Sequence, residues 1–236
     1  MPGPVPKAFI FDVFGTVVDW RRGVAEEAAR FYAERGLDAD PYALADAWRD
    51  EYRPGMARVR HGERPYVPLD IIHRENLDFA LEKLGLSDAF DAPSRDALNH
   101  AWEKLPPWPD APEGLERLRA AGFVGTCSNG SVALMVRLAR FAGLRWDAIL
   151  GADTARDYKP SPITYRASAA ALGLEPGEVM MVACHNNDLA AAREAGLLTG
   201  WFPRPDEFGT GELIPADRDF DVMVDDIKAL AAHFGG

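Results

Sequence analysis

The sequence predicts an α/β protein with a doubly wound, Rossmann-like parallel sheet as its core and a helical cap domain inserted after the first strand. Short apolar runs without alternation, such as Ala8 to Phe11, are typical of strands that are buried on both faces of a parallel sheet. From Ala111 onward such runs alternate with stretches of helical periodicity, a pattern that favours helices on both faces of the sheet. Residues 21–105 show helical periodicity only.

The inserted stretch contains four predicted helices, at residues 22–36, 41–52, 69–85 and 93–104. Segments rich in proline and glycine, at residues 53–55 and 64–68, are predicted to separate them. The run of prolines in residues 105–109 cannot continue a helix and is predicted to lead the chain back to the sheet. We therefore predict a core domain of residues 1–19 and 106–236 and a cap domain of residues 20–105.

The second half of the chain supplies the rest of the core. Its predicted helices are 112–121, 131–142, 161–172, 188–195 and 225–234. Its predicted strands are 123–127, 147–150, 179–183, 198–202 and 220–224, which gives six strands with Ala8 to Phe11.

Composition limits the function. The chain has 236 residues, of which 47% are hydrophobic, and a formal net charge of −11. That charge argues against nucleic acid and anionic membranes as partners. No apolar run is long enough to span a bilayer and the N-terminus does not resemble a secretion signal, so we expect a cytoplasmic protein. Cys127 and Cys184 lie in apolar runs without zinc-type spacing, and we interpret them as buried thiols.

Asp12 follows the first strand directly, and Gly15 permits a tight turn after it. Its carboxylate should therefore emerge at the carboxyl end of the strand, where open α/β sheets bind ligands. An aspartate in this position is also a common cap for the next turn. The functional interpretation gains support from three later stretches at predicted strand ends or the loops beyond them, namely 128–130, 159–160 and 185–188.

Taken together, these stretches resemble the motifs of the haloacid dehalogenase superfamily, over nearly the whole chain. The run from Asp12 to Thr16, Asp-Val-Phe-Gly-Thr, resembles the first motif of its (S)-2-haloacid dehalogenase type II branch. The resemblance implies that Asp12 is a nucleophile and that short 2-haloalkanoic acids are hydrolysed to 2-hydroxyacids through an aspartyl ester. It implies a small anionic substrate and a halide ion as ligands, and it allows a homodimer.

Two departures from the phosphatase majority of the superfamily concern the metal and the proton donor. Phe14 stands where phosphatases have a general acid, and Cys184 stands four residues before Asp188, where they have a magnesium ligand. Phenylalanine donates no proton, and magnesium requires hard oxygen ligands. We therefore expect no metal and no cofactor. A phosphatase, a phosphonate hydrolase and a non-catalytic protein that binds a small anion are the alternatives.

The resemblance also assigns roles to individual residues. Lys159 would sit beside the nucleophile and keep it ionised, and Asp188 would orient that lysine and the hydrolytic water. Arg49 would reach the leaving halide from the cap. Further matches are predicted catalytic or substrate-binding residues: Thr16, Phe14, Ser128, Asn129 and Tyr165. Without the family, Ser128 and Asn129 are an ordinary helix cap, Lys159 and Arg49 are solvated charges, and Tyr165 is a packed aromatic residue.

His185 stands where better-known members have Asn, and its role stays open between three interpretations. It could be a structural histidine, it could act on the water that hydrolyses the ester, or it could donate to a departing fluoride in a narrow pocket. The last interpretation predicts turnover of fluoroacetate.

Overall fold

Five parallel strands form one sheet in the computed structural model, which describes residues 5–236. The strands are β1 (Ala8–Phe11), β2 (Phe123–Thr126), β3 (Val179–Ala183), β4 (Leu198–Trp201) and β5 (Val222–Met223). Their order is β2-β1-β3-β4-β5, and Phe11 at the end of β1 pairs with Thr126 of β2 and Val182 of β3. The predicted α/β fold is confirmed. Three carboxyl ends meet at one edge of the sheet, just beyond Phe11.

The helices pack around this sheet and within the inserted segment. They are α1 (Trp20–Arg35), α2 (Pro41–Asp50), α3 (Tyr52–Arg60), α4 (Leu69–Lys83), α5 (Ala92–Asn99), α6 (Ala111–Leu118), α7 (Val132–Ala142), α8 (Ala152–Ala155), α9 (Pro162–Ala171), α10 (Asn186–Glu194) and α11 (Ile227–His233). In the part of the chain from residue 5 onward, none of them is both long enough and apolar enough to cross a membrane.

The sequence interpretation missed α3. Residues 53–55 were predicted to interrupt the helices, whereas they lie inside α3. Pro54 is in the first turn of this helix, where a missing N–H breaks no intrahelical hydrogen bond. Gly55 is needed for packing, because a Cβ atom there would lie 2.5 Å from Ile72 Cγ2 of α4.

The predicted strand at residues 147–150 is wrong, and the sheet has five strands instead of six between residues 5 and 236. This segment runs beside β2 and forms only isolated bridges, such as Gly125 with Ala148. Side chains replace part of the ladder, since Asp147 accepts from the Val124 N–H and the Thr126 hydroxyl donates to Leu150 O. The last strand is shortened from 220–224 to 222–223 in a related way: the Asp221 carboxylate accepts from the Thr199 N–H.

The inserted segment leaves and rejoins the sheet at neighbouring points. Asp19 N donates to Pro106 O at 2.9 Å, and Trp108 N donates to Val17 O at 3.0 Å. The two ends of the segment therefore lie side by side, as the predicted division into a core of residues 1–19 and 106–236 and a cap of 20–105 requires. Residues 1–4 of that division are outside the described residues. The domain boundaries themselves stay a prediction.

An aromatic cluster joins the inserted helices to the loop after β1. The Phe14 ring lies 5.4 Å from that of Trp102, which stacks on His73 at 4.2 Å and on Trp20 at 6.2 Å. Burial, together with the charge of Arg49, holds the pKa of His73 well below 6.5, so this histidine is a neutral member of the cluster. The cluster gives the end of β1 an apolar wall.

Candidate active site

Asp12 is the first residue after β1, at the sheet edge where β1, β2 and β3 end. The turn that follows it requires glycine at position 15, where φ is 87° and an added Cβ would lie 2.2 Å from Glu207 Oε1. The Asp12 side chain is nearly buried, and both of its oxygens have partners. The local sequence thus places a carboxylate at a fixed position facing the helices of the inserted segment.

One oxygen of Asp12 faces Lys159. The ammonium lies 2.9 Å from Asp12 Oδ1 and 2.5 Å from Asp188 Oδ2, and the Tyr165 hydroxyl donates to Asp188 Oδ1 at 2.5 Å. Burial opposes the charge on Asp12, but Lys159 and His185 outweigh it and hold the pKa of Asp12 well below its usual range. Burial and the neighbouring charge of Asp12 raise the pKa of Asp188. The nucleophile candidate is therefore fully ionised.

The other oxygen of Asp12 accepts two hydrogen bonds. The Thr16 hydroxyl donates to Oδ2 at 2.9 Å, and His185 Nδ1 lies 2.8 Å from the same atom. Thr16 is itself held by the Cys184 N–H, which donates to its hydroxyl oxygen at 3.2 Å. The predicted neighbours Thr16 and His185 therefore lie beside Asp12, on the side opposite Lys159.

Behind His185 stands a residue that the sequence interpretation missed, Glu207. His185 Nε2 lies 3.0 and 2.9 Å from the two oxygens of Glu207, and Trp20 Nε1 donates to Oε1 at 3.1 Å. Burial disfavours charge on His185, but the Cys184 sulfur and the Glu207 and Asp12 carboxylates outweigh it and raise its pKa well above 6.5. Burial would raise the pKa of Glu207, but the charge of His185 and its hydrogen bond outweigh burial and lower this pKa. An imidazolium therefore bridges two carboxylates.

No local signal in the sequence pointed to Glu207. It lies in the irregular segment between β4 and β5, in a polar Arg-Pro-Asp-Glu-Phe run that resembles any solvated loop. The signal that exists is indirect: a buried histidine beside an aspartate needs a second anion if it is to stay charged. Which acidic residue supplies that anion depends on how the loop folds back over Gly15.

The predicted anion-binding pair after β2 is only partly at the site. Asn129 Oδ1 accepts from the Lys159 N–H at 2.8 Å, and this side chain lines the cavity. Ser128 is fully buried, and its hydroxyl accepts from the Gly130 N–H instead. Ser128 and Tyr165 are not among the residues that line the cavity, and their contacts with the substrate stay a prediction. Ser131 caps α7 by accepting from the Leu134 N–H.

A cavity of about 480 Å³ opens above Asp12. Charged and polar side chains from the sheet edge form its floor and the inserted helices form its roof; its lining includes Asp12, Phe14, Arg49, Tyr52, Met56, Asn129, Lys159, His185 and Asp188. The Arg49 guanidinium lies 4.1 Å from the centre of the Tyr52 ring and 5.0 Å from that of Trp20. Its Nη1 is buried and has no hydrogen-bond partner among residues 5–236. Arg49 therefore lines the cavity, while one of its guanidinium nitrogens is buried and unpaired among these residues.

The donor set does not fit magnesium. Phe14 offers an aromatic ring packed on Trp102, and Cys184 offers a sulfur atom, where a magnesium site would need hard oxygens. The two carboxylates that remain, Asp12 and Asp188, share the ammonium of Lys159 between them. We therefore derive no step that involves magnesium.

A buried, ionised aspartate at a strand end, paired with a lysine and roofed by inserted helices, is the arrangement expected of a hydrolase that has an α/β core and a carboxylate nucleophile. The model of the haloacid dehalogenase-like hydrolases matches residues 6–196. The chain belongs to this family, as the sequence resemblance implied.

The chain is also similar to characterised relatives. It is 32% identical over 82% of its length, and 81% of the relative's, to (S)-2-haloacid dehalogenase 4A of Burkholderia cepacia. It superposes with a TM-score of 0.95 on the crystal structure of the defluorinating L-2-haloacid dehalogenase Rha0230, at 43% identity and with coverage of 98% and 96% of the two chains. It is 33% identical over 90% of its length, and 85% of the relative's, to a phosphoglycolate phosphatase of Neisseria meningitidis. The similarity to the (S)-2-haloacid dehalogenase branch is confirmed.

Proposed function

We propose that this protein hydrolyses short 2-haloalkanoic acids, including haloacetates, to 2-hydroxyacids through an ester on Asp12. The observation that carries the proposal is the ionised Asp12 carboxylate, held on both sides and lying below a cavity that Arg49 also lines. Halide is a leaving group that needs neither a proton nor a metal, which suits a site with Phe14 and Cys184 at the positions that phosphatases use for those purposes. The similarity to several dehalogenases supports the same reaction.

The two oxygens of Asp12 have different roles in this proposal. Oδ1 has one partner, Lys159, and attacks C2 of the substrate while the carbon–halogen bond breaks and its electron pair leaves with the halide. Oδ2 then becomes the carbonyl oxygen of the ester. Thr16 and His185 already donate to it at 2.9 and 2.8 Å, which is the arrangement that stabilises an oxyanion when water adds to the ester carbon.

The other residues bind the substrate and its leaving group. Arg49 stabilises the charge that develops on the halide, and its effect is strengthened because the aromatic cluster excludes water on that side. Asn129 and Lys159 bind the substrate carboxylate. In the second step Asp188 accepts a proton from the attacking water. The water oxygen bonds to the ester carbon of Asp12, the bond from that carbon to the substrate oxygen breaks, and the second water proton passes to that oxygen. Asp12 is regenerated as a carboxylate, the 2-hydroxyacid leaves, and Asp188 releases its proton to solvent.

Halide release decides whether this function is right. We would measure it with fluoro-, chloro- and bromoacetate and with both enantiomers of 2-chloropropionate, each with and without EDTA. The proposal expects release from the S enantiomer with inversion at carbon, and no loss of rate in EDTA. No release from any of the five compounds would contradict it and leave a non-catalytic anion-binding protein.

The phosphatase alternative has one specific observation in its favour, the 33% identity to a phosphoglycolate phosphatase. Against it, this chain has phenylalanine at position 14, where phosphatases have their general acid. Loss of general acid catalysis costs about 10²- to 10⁴-fold in rate. Magnesium-dependent turnover of p-nitrophenyl phosphate or phosphoglycolate at a rate above that of haloacid hydrolysis would establish this alternative.

We further propose that the protein acts in the cytoplasm and binds no nucleic acid, which its net charge of −11 supports. Its partners in this proposal are the haloacid substrate and the halide ion, and a homodimer is the assembly to test by sedimentation.

A further inference from the structure

Cys184, His185 and Glu207 converge behind the Asp12 carboxylate, and the proposed reaction leaves the Cys184 sulfur unused. One ligand atom from each of the three residues lies within 4.8 Å of the other two. Glu207 Oε2 is 2.9 Å from His185 Nε2 and 3.8 Å from Cys184 Sγ. The other Glu207 oxygen is 3.1 Å from the Trp20 indole N–H, which donates to it and fixes the carboxylate in this orientation.

Two of the three distances between ligand atoms are close to those in a tetrahedral site for a soft divalent cation, and the third is within 4.8 Å. Metal–sulfur bonds of about 2.3 Å and metal–nitrogen or metal–oxygen bonds of about 2.0–2.2 Å place neighbouring ligand atoms about 3.3–3.6 Å apart. The observed separations of 2.9 and 3.8 Å are each within a few tenths of an ångström of that range. Thiolate, imidazole and carboxylate together are a donor set typical of Zn²⁺ and, because of the sulfur, of Cd²⁺.

The same three residues are reached from a second cavity of about 710 Å³. Exposed residues of the segment before β5, among them Asp217 and Arg218, form its rim, so this cavity is open to solvent. His185 lines both this cavity and the one above Asp12. A cation therefore has a route to the cluster that does not pass through the substrate cavity.

The geometry points to an inhibitory binding site for a soft divalent cation, held by Cys184 Sγ, His185 Nε2 and Glu207 Oε2, with a water molecule from the second cavity as the fourth ligand. The cation would replace the proton on His185 Nε2 and the proton of the Cys184 thiol. Two protons leave as two positive charges arrive, so the net charge of the cluster stays the same. Asp12 keeps its hydrogen bond to Nδ1, as carboxylates commonly do with metal-bound histidines.

Inhibition follows from the position of His185. A metal on Nε2 fixes the imidazole ring in place and ties Cys184, whose N–H holds Thr16, into the same site. Both donors to Asp12 Oδ2 are then constrained by the metal and less able to follow that oxygen as it becomes an oxyanion. The binding of the cation is independent of the reaction, whereas its inhibitory effect rests on the proposed function.

Cadmium is the probe, because a cadmium–thiolate bond gives a charge-transfer absorption band in the ultraviolet. We would titrate the whole, chelator-treated protein with Cd²⁺ and expect the band to saturate at one equivalent. Cys184→Ser should lose it. Cys127→Ser is the matched control, since Cys127 is the other buried thiol, lies outside the cluster and contacts Ser168. It should keep the band.

Glu207→Gln separates a three-ligand site from a simple thiol adduct. Loss of a group that supports a metal site costs about 10- to 100-fold in affinity, and loss of a ligand should cost at least as much. We therefore expect the dissociation constant for Cd²⁺ to rise by tenfold or more in Glu207→Gln. An unchanged affinity, or a band that disappears in Cys127→Ser instead, would overturn the site.

The inhibitory effect is measured separately with Zn²⁺ and chloroacetate, each variant being normalised to its own rate without metal. Zn²⁺ should inhibit the wild-type protein, EDTA should restore its rate, and the half-inhibiting concentration should rise at least tenfold in Cys184→Ser but not in Cys127→Ser. Equal sensitivity of both variants would contradict the inhibition. If the protein shows no haloacid hydrolysis at all, the cadmium titration still decides the binding site. Should Cys184→Ser fail to fold by near-ultraviolet circular dichroism, Cys184→Ala and Glu207→Gln take its place.

Discussion

The two oxygens of Asp12 lie in contrasting environments. Oδ1 has a single partner, the Lys159 ammonium, which also donates to Asp188; the Tyr165 hydroxyl donates to the other oxygen of Asp188. Oδ2 has two donors, Thr16 and His185, and the histidine is held from behind by Glu207. A carboxylate is symmetric, so the protein alone makes its two oxygens different. In the proposed reaction this difference is a division of roles: the Lys159 side prepares the attack on the substrate, and the His185 side prepares the hydrolysis of the ester.

The largest loss of activity is expected when the Asp12 charge is removed, because both Lys159 and His185 act on this carboxylate. Asp12→Asn keeps the size of the side chain but is a far weaker nucleophile, so we expect halide release to fall to background. Lys159 still has Asp188 as an ion-pair partner and His185 still has Glu207, so the variant should stay folded. Its thermal unfolding transition, measured beside the wild type, is the control.

Isotope labelling tests the same residue in the unaltered protein. In ¹⁸O-water, with enzyme in excess over substrate, the label should enter the Asp12 side chain before it appears in the 2-hydroxyacid. Label that enters the product directly in the first turnover would show that water, and not Asp12, attacks the substrate.

The two sides also differ in how far the sequence could predict them. Asp12, Lys159 and Asp188 each stand in a short recognisable motif. Asp12 and Asp188 follow β1 and β3, whose carboxyl ends lie side by side, and Lys159 lies in the loop between α8 and α9. The pairing of His185 with Glu207 depends on an irregular segment between β4 and β5 folding over Gly15, for which the sequence has no periodic signal. The same holds for the missed helix α3 and the lost strand at 147–150, where packing and side-chain hydrogen bonds outweighed local propensity.

Lys159→Met should damage the first step and the stability of the fold together. It removes the cation between two buried carboxylates, and breaking a buried ion pair in this way costs about 3–5 kcal/mol in free energy of unfolding. Single-turnover halide release should slow sharply, with no ester accumulating, because its formation becomes rate-limiting. Urea unfolding and intact-protein mass spectrometry measure the two effects, and a stable variant that accumulates ester would reverse the assignment of the two sides.

His185→Asn is the counterpart on the other side. The variant should still form the ester but hydrolyse it slowly, since one of the two donors to the carbonyl oxygen is changed, and loss of such a donor costs about 10²- to 10³-fold. Mass spectrometry after mixing with chloroacetate should show Asp12 carrying the added mass of the ester. If neither the rate nor the ester population differs from wild type, His185 is a structural residue.

Arg49→Ala tests the proposed role of the cavity roof, which contacts neither oxygen of Asp12. The guanidinium has a buried, unpaired nitrogen, so its loss should lower kcat/KM for chloroacetate by about 10²- to 10³-fold while unfolding changes little. Arg53→Ala is the matched control, because Arg53 lines the same cavity but is exposed to solvent. Its effect should stay within about twofold, as expected for a screened charge. Equal effects of the two substitutions would show that Arg49 acts only through its positive charge near the cavity and not through a specific contact with the halide.

Glu207→Gln is expected to change the rates of halide release least, and it tests whether His185 also takes part in the attack on the substrate. Fluoroacetate and chloroacetate give the same carboxymethyl ester on Asp12, so any effect on ester hydrolysis must be identical for the two substrates. A change in the ratio of their halide-release rates therefore reports on carbon–halogen cleavage alone. Fluoride accepts the strongest hydrogen bonds of the halides, and the substitution removes the negative charge that holds His185 in place. If that donor is weakened by about 0.5–1 kcal/mol, the fluoride-to-chloride ratio in single turnovers should fall about two- to fivefold. An unchanged ratio with slower release of both products would confine His185 to the hydrolysis of the ester.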